Sequence, residues 1–165
     1  MQLVVTDANI IIDLDAGGLL GEIFRVPELE FCVPDVLYEE ELAHKYGALP
    51  GLGLKVLSQT GDAVAYVADL KARYRRASIN DLFALALARR QGCPLLSGDG
   101  ALRAAAQAEE VEVHGTLWLV EALYVSGLVT MERVEEAYGR MRRDGSRLPW
   151  MEIDAQIGRW RAAAR

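Results

Sequence analysis

The stretch that most constrains this chain is Leu3-Val4-Val5-Thr6-Asp7-Ala8-Asn9-Ile10-Ile11-Ile12-Asp13. An apolar run halts at a carboxylate, and a second apolar run begins three residues later. Leu3 to Val5 read as a strand with both faces buried, the kind found in parallel sheets. A buried strand ending in Asp carries a negative charge to the carboxyl edge of its sheet, where open α/β sheets bind ligands. Taken alone, Asp7 is equally well explained as the N-cap of the helix that follows. Its meaning depends on what the rest of the chain brings to the same edge.

Strand and helix patterns alternate through the first two thirds of the 165 residues. Glu30 to Val33 is a short strand closed by Pro34, and Asp35 is expected to cap a helix from Val36 to about Tyr46. Residues 47–53 read as a loop, and Lys55-Val56-Leu57 as a short strand. Asp62 opens a helix with Val64, Val67, Leu70 and Tyr74 at helical spacing. Ser78 or Asn80 caps an Ala-rich helix ending at Gly92, in the usual place for a C-terminal glycine. Leu95 to Ser97 is a strand, Ala101 to Ala108 a helix, and Val111 to Val113 the last strand. This order implies crossover units on a parallel sheet of four or five strands with helices on both faces, an α/β fold in three layers. Beyond Thr116 the pattern is helical throughout: about 116–126, 130–143 and 149–161. The chain therefore reads as one domain, 1–165, with a core over 1–115 and a helical extension over 116–165.

Composition narrows the class. Apolar residues make up 52% and charged residues 25%, as in globular proteins. No apolar run approaches the ~20 residues of a membrane span, and no secretory signal pattern opens the chain, so a cytoplasmic protein without membrane contact is expected. Cys32 and Cys93, like His44 and His114, lie far apart and show no zinc spacing. A net charge of −6 argues against broad coating by nucleic acid. Arginines nevertheless cluster locally, at Arg73, Arg75 and Arg76 and again at Arg140, Arg142, Arg143 and Arg147.

Three acids share the expected position of Asp7. Glu40 lies in the first turns after the second strand, Asp81 in the first turn of the Ala-rich helix, and Asp99 directly after the strand ending at Ser97. Four carboxylates converging on one edge repel one another unless a cation neutralises them. Hard divalent ions such as Mg²⁺ and Mn²⁺ prefer such oxygens. Four unrelated caps and surface acids are the bland explanation. Glu39, Glu40 and Glu41 are consecutive and about 100° apart on a helix, so only one can face Asp7. Leu37 one turn earlier favours Glu40, with Glu41 next. A dehalogenase-type phosphatase would need a second Asp where Asn9 stands, and no Gly-rich phosphate loop with Lys occurs.

Thr6-Asp7-Ala8-Asn9, Glu40 in Pro34-x-x-Leu37-Tyr38-x-Glu40, Ser78-Ile79-Asn80-Asp81 and Leu95-Leu96-Ser97-Gly98-Asp99 together resemble the PIN-domain ribonucleases. The resemblance covers about residues 1–115, and Gly115 to about Gly145 resembles a helical extension of some bacterial and archaeal PIN proteins. It implies a catalytic quartet of Asp7, Glu40, Asp81 and Asp99, with Mg²⁺ or Mn²⁺ bound by Asp7, Asp81 and Asp99. Asn9 matches a polar residue that holds the first acid, and Ser97 a hydroxyl residue that supports the site. Where some relatives with this extension carry Glu after Gly as the third acid, this chain has Asn80-Asp81. The resemblance further implies an endoribonuclease, the toxin of a toxin–antitoxin pair as in the VapC-like group, with RNA as substrate and a small antitoxin as partner. Arg73, Arg75 and Arg76 are candidates for gripping RNA phosphates. Trp118, Trp150 and Trp160 are expected to anchor the extension within the subunit or across a homodimer interface. The alternative is a non-catalytic RNA- or protein-binding module with a vestigial metal site.

Overall fold

The opening apolar run forms β1 (Gln2–Thr6), and it is the central strand, which is why both its faces are apolar. In a computed structural model describing residues 1–165, β2 (Leu29–Pro34), β3 (Lys55–Leu57), β4 (Leu95–Leu96) and β5 (Val113–His114) complete a five-stranded sheet. The order is β3-β2-β1-β4-β5, and every pair is parallel. The chain thus steps outward in one direction through β2 and β3, then returns across β1 to β4 and β5. Right-handed crossovers place the helices of these two journeys on opposite faces of the sheet. The direction reverses between β1 and β4, and the crevice at their carboxyl ends is the switch point where such sheets bind ligands.

On the first journey lie α1 (Ala8–Ala16), α2 (Leu20–Ile23), α3 (Asp35–Leu37), a π-helical turn (Tyr38–Leu42), α4 (Ala43–Tyr46) and α5 (Leu49–Leu52). On the second lie α6 (Gly61–Arg73), α7 (Ile79–Gln91) and α8 (Gly100–Ala108). α7 packs on β1, β2 and β4 on one side and on α6 and α8 on the other. Its small residues make this double contact feasible: Ala84, Ala86 and Ala88 are buried together with Leu82, Leu85 and Leu87. Gly92 ends α7 at φ 62°, a left-handed conformation that glycine adopts without steric cost.

The extension comprises α9 (Thr116–Val125), α10 (Met131–Arg143) and α11 (Trp150–Ala163). α9 and α10 pack against α1, and Val134, Ala137, Tyr138, Met141 and Ile153 join the same apolar core as β1. Gly17 allows the close approach: a Cβ there would stand 2.5 Å from Met141 Cε and 3.2 Å from the Ala137 carbonyl oxygen. Buried Tyr138 donates to Gln156 Oε1 (2.7 Å), and Gln156 Nε2 donates to the Leu117 carbonyl (3.1 Å), fastening α9, α10 and α11 to one another.

Several expectations need correction. Asp35 does not cap its helix; its carboxylate accepts the Val36 amide, and Pro34 stands at the cap position without a side-chain bond. The segment read as a loop holds the helical turn α5. The last strand begins at Val113, because the Val111 amide still bonds back to the Ala106 carbonyl at the end of α8. The helix after β2 is interrupted by the π turn, whose effect on the site is described below.

Candidate active site

Asp7 follows β1, is fully buried, and caps α1 by accepting the Ile10 amide on Oδ1 (3.0 Å). The two explanations open for it are therefore not exclusive, since one oxygen caps and the other is free. Oδ2 is buried with no hydrogen-bond partner. A buried, unsatisfied carboxylate oxygen is costly unless the group keeps its proton or meets a cation. Burial accordingly pushes the Asp7 carboxyl up to about 7. The Ser97 hydroxyl beside it and the Ile10 amide oppose the rise, while the charges of Asp81 and Asp99 add to it.

Ser97 lies directly after β4, fully buried, and its Oγ accepts the Asp99 amide (3.0 Å). Asp99 in turn caps α8, accepting the Leu102 amide on Oδ2 (2.9 Å). The Asp7 amide donates to the Leu96 carbonyl (3.0 Å) and the Ser97 amide to the His114 carbonyl (2.9 Å). Parallel pairing thereby continues one row past the strands and sets Asp7, Ser97 and Gly115 side by side.

Asp81 stands in the first turn of α7, its amide bonded to the capping Ser78 Oγ (3.1 Å). Burial raises its carboxyl to about 6, helped by the charges of Glu41 and Asp99 and opposed by Ser78. Asp7, Asp81 and Asp99 thus come from three elements into electrostatic contact, each at the amino end of a helix. No three acidic, histidine or cysteine side chains stand close enough to enclose one ion directly.

The fourth acid comes from the π turn, where Glu40 and Glu41 both stand near the start of α7. Glu40 Oε2 accepts from Asn80 Nδ2 (2.8 Å), which ties the π turn to the start of α7. Glu41, not Glu40, is the glutamate whose charge acts on Asp81. The i→i+5 turn holds one more residue than an α-turn. Leu37 and Leu42, five apart, are both fully buried, and the glutamates between them are exposed, Glu40 bonded to Asn80 and Glu41 within electrostatic reach of Asp81.

Asn9 is exposed, and its side chain makes no hydrogen bond to Asp7; the Ile10 amide holds that carboxylate instead. Arg73 is already committed. It donates to both oxygens of Glu109 (2.8 and 3.2 Å) and to Asp69 (3.0 Å). Glu109 also accepts from Tyr66 and Tyr74, at 2.7 and 2.8 Å, so this cluster joins α6 to the end of α8. Arg75 and Arg76 are exposed and make no ion pair. The three tryptophans find partners within the chain: Trp118 stacks on His114 at 4.4 Å, Trp160 on Tyr124 at 4.3 Å, and Arg142 lies over Trp150 at 5.1 Å.

Arg103, which the sequence did not single out, stands at this edge. It lies one turn after Asp99 on α8, and its Nη1 donates to the Ser97 carbonyl (2.7 Å). An arginine four residues after a helix-capping Asp at a strand end is the only signal that would have marked it.

The family model described as DUF3368: PIN domain matches residues 3–161. No curated protein matches the sequence. A structure of VapBC2 from Rickettsia felis bound to a DNA fragment from its promoter is similar in fold, with TM-score 0.50 and 10% identity over 69% of this chain and 98% of that one. PAE2754 from Pyrobaculum aerophilum is similar at TM-score 0.51 and 16% identity, over 73% of this chain and 89% of that one. No helix is long and apolar enough to cross a membrane.

Proposed function

Because this chain belongs to the PIN-domain family, we propose that it is a nuclease that hydrolyses RNA phosphodiester bonds with Mg²⁺ or Mn²⁺, acting as the toxin of a toxin–antitoxin pair. One observation carries the catalytic part of this reading. Asp7 is fully buried with Oδ2 unpartnered, beside two further acids that raise its affinity for a proton. The arrangement suits a divalent cation, which would take the place of the retained protons.

Asp7, Asp81 and Asp99 are the residues that would hold the ion. A hard cation often keeps part of its water shell, so it can be held without all three carboxylates touching it. When bound, the ion acidifies water and offsets the charge that builds on the phosphate. Asp7 Oδ1 stays fixed by the Ile10 amide, so Oδ2 is oriented before any ligand arrives. Ser97 holds the Asp99 main chain in place, and Asp99 Oδ2 is oriented by the Leu102 amide. Asp81, raised to about 6 by burial and by the charges of Glu41 and Asp99, would give up its proton to take part in holding the ion. Glu41 completes the quartet in the place the sequence assigned to Glu40.

The toxin role is supported by the four motifs in the order of the PIN family, many of whose members are toxins, and by a fold similar to that of the Rickettsia felis structure of VapBC2. An antitoxin would then be the protein partner. A second reading, a binding module without catalysis, draws on the absence of three acids close enough to enclose one ion. Incubating a panel of RNAs with the purified chain separates the two. The nuclease reading expects cleavage with Mn²⁺, none with EDTA, and at least a hundredfold loss in Asp7→Asn and Asp99→Asn, in line with removing a metal's charge from a transition state. Undiminished cleavage by the variants points to a contaminant. No cleavage and no binding of millimolar Mn²⁺ favours the module.

A further inference from the structure

Arg103 is half-buried and pairs with no carboxylate, unlike Arg73, Arg89, Arg133, Arg140 and Arg161, each of which has an acidic partner. Its one hydrogen bond, from Nη1 to the Ser97 carbonyl, leaves most of the five guanidinium donors free. The adjoining loop keeps space open for it. Gly115 lies in the row of Asp7 and Ser97, and a Cβ there would come within 3.3 Å of Arg103 Nη1. Gly115 also begins α9, a ten-residue helix with no side-chain cap, so its first amides have no side-chain acceptor. Thr116, the first residue of α9, is 2% exposed, and its hydroxyl oxygen has no hydrogen-bond partner. A half-buried cation without an acidic partner thus stands beside an uncapped helix amino end, and both attract anions.

We propose that Arg103, with the main chain at Gly115 where α9 starts, binds a phosphate of the RNA backbone next to the carboxylate site. This rests on the nuclease reading and deepens it. Two strand spacings, about 10 Å, separate the main chain at Asp7 from that at Gly115. The phosphate held there therefore neighbours the one being cleaved. The acids and the arginine divide the work, the first gathering a cation and the second gripping the strand. Phosphate contacts of this kind fix register without reading sequence.

The test measures binding apart from cleavage. Affinity of a fluorescent single-stranded RNA for the Asp7→Asn protein in EDTA is followed from low to moderate KCl, alone and combined with Arg103→Ala or Arg103→Lys. Arg103→Ala is expected to weaken binding about tenfold at low salt, as for losing one charge-assisted hydrogen bond. It should also flatten the slope of log affinity against log salt by ~0.7, as expected for one phosphate contact to a single strand. Arg103→Lys should keep the slope. Thermal melting of each variant reports folding; Arg103→Lys remains informative if the Ala protein melts early. An unchanged slope in a folded Arg103→Ala protein overturns the phosphate site and leaves Arg103 as a strut for β4, while cleavage by the parent chain still upholds the nuclease reading. Failure of the Asp7→Asn protein to bind any RNA likewise overturns the phosphate site, and the nuclease reading is then decided by cleavage with the parent chain and Mn²⁺.

Discussion

Replacing Asp7 by Asn should make the protein more stable at alkaline pH. A carboxyl that titrates near 3.8 in the unfolded chain and near 7 in the fold keeps its proton in the fold across that range. Below 3.8 both states are protonated and the site costs nothing. Between the two values each pH unit lowers stability by about 1.36 kcal/mol, because the fold holds a proton that the unfolded chain has released. Above 7 both states are ionised and the full cost, about 4 kcal/mol, is present. Asn cannot ionise, and its Oδ1 can still accept the Ile10 amide. Its NH₂ would occupy the position of unpartnered Oδ2, at a cost of about 1–3 kcal/mol. The difference leaves Asp7→Asn more stable by about 1–3 kcal/mol at pH 8 and no more stable at pH 4.5. For a chain of this length that corresponds to a rise in Tm of roughly 2–10 °C at pH 8. Melting curves of both proteins in EDTA from pH 4.5 to 8.5 give the comparison. A parent Tm that exceeds that of the variant at pH 8, or a gap that does not change with pH, refutes the assignment of a charged, unpartnered Asp7.

Other substitutions test other parts of the account. Glu41→Gln should lower RNA cleavage at least tenfold while Glu40→Gln changes it less than threefold, since charge at Glu41 reaches Asp81 and Glu40 serves as a tether; the reverse order would restore the register of an uninterrupted helix. Glu109→Gln should destabilise the fold by about 1–2 kcal/mol in urea unfolding at pH 7 and leave cleavage unaffected. The hydrogen bond from Arg73, with that of Tyr66 next, holds the Glu109 carboxyl down at about 2. The stabilisation is thus fully present above the unfolded value near 4.5 and is lost as pH falls toward 2, so the difference between parent and variant should close in acid. Gly17→Ala should cost about 1–3 kcal/mol, because its Cβ meets Met141 and the Ala137 carbonyl and pushes α10 off α1; an unchanged midpoint would show that the extension yields freely.

What was legible in the sequence was local. The buried strand ending at Asp7, the Ser78 cap three residues before Asp81, and the strand leading through Ser97 to Asp99 are each decided by neighbours within a few positions. The parallel order of the sheet followed from alternation of strand and helix patterns. The π turn was not legible, because an α-turn and a π-turn share the same residues until Leu42 is drawn into the core five positions after Leu37. Arg73 looked free because its partner Glu109 lies 36 residues away. Arg103 drew no notice because its surroundings depend on pairing between β4 and β5, which brings Gly115 beside Ser97. The intrachain partners of the tryptophans, His114, Tyr124 and Arg142, are set by how the helices of the extension pack, which spacing along the chain does not encode.

The central claim is that burial, helped by neighbouring charge, keeps protons on Asp7 and Asp81 and that a divalent cation replaces them. Proton release on metal binding measures this directly. Calorimetric titration of the intact chain with Mn²⁺, in buffers of different ionisation enthalpy, counts the protons set free. With Asp7 near 7 and Asp81 near 6, about one proton should leave per site at pH 6.5, and almost none at pH 8.5. Binding that releases no proton at pH 6.5, or a release that persists in Asp7→Asn unchanged, would contradict the account.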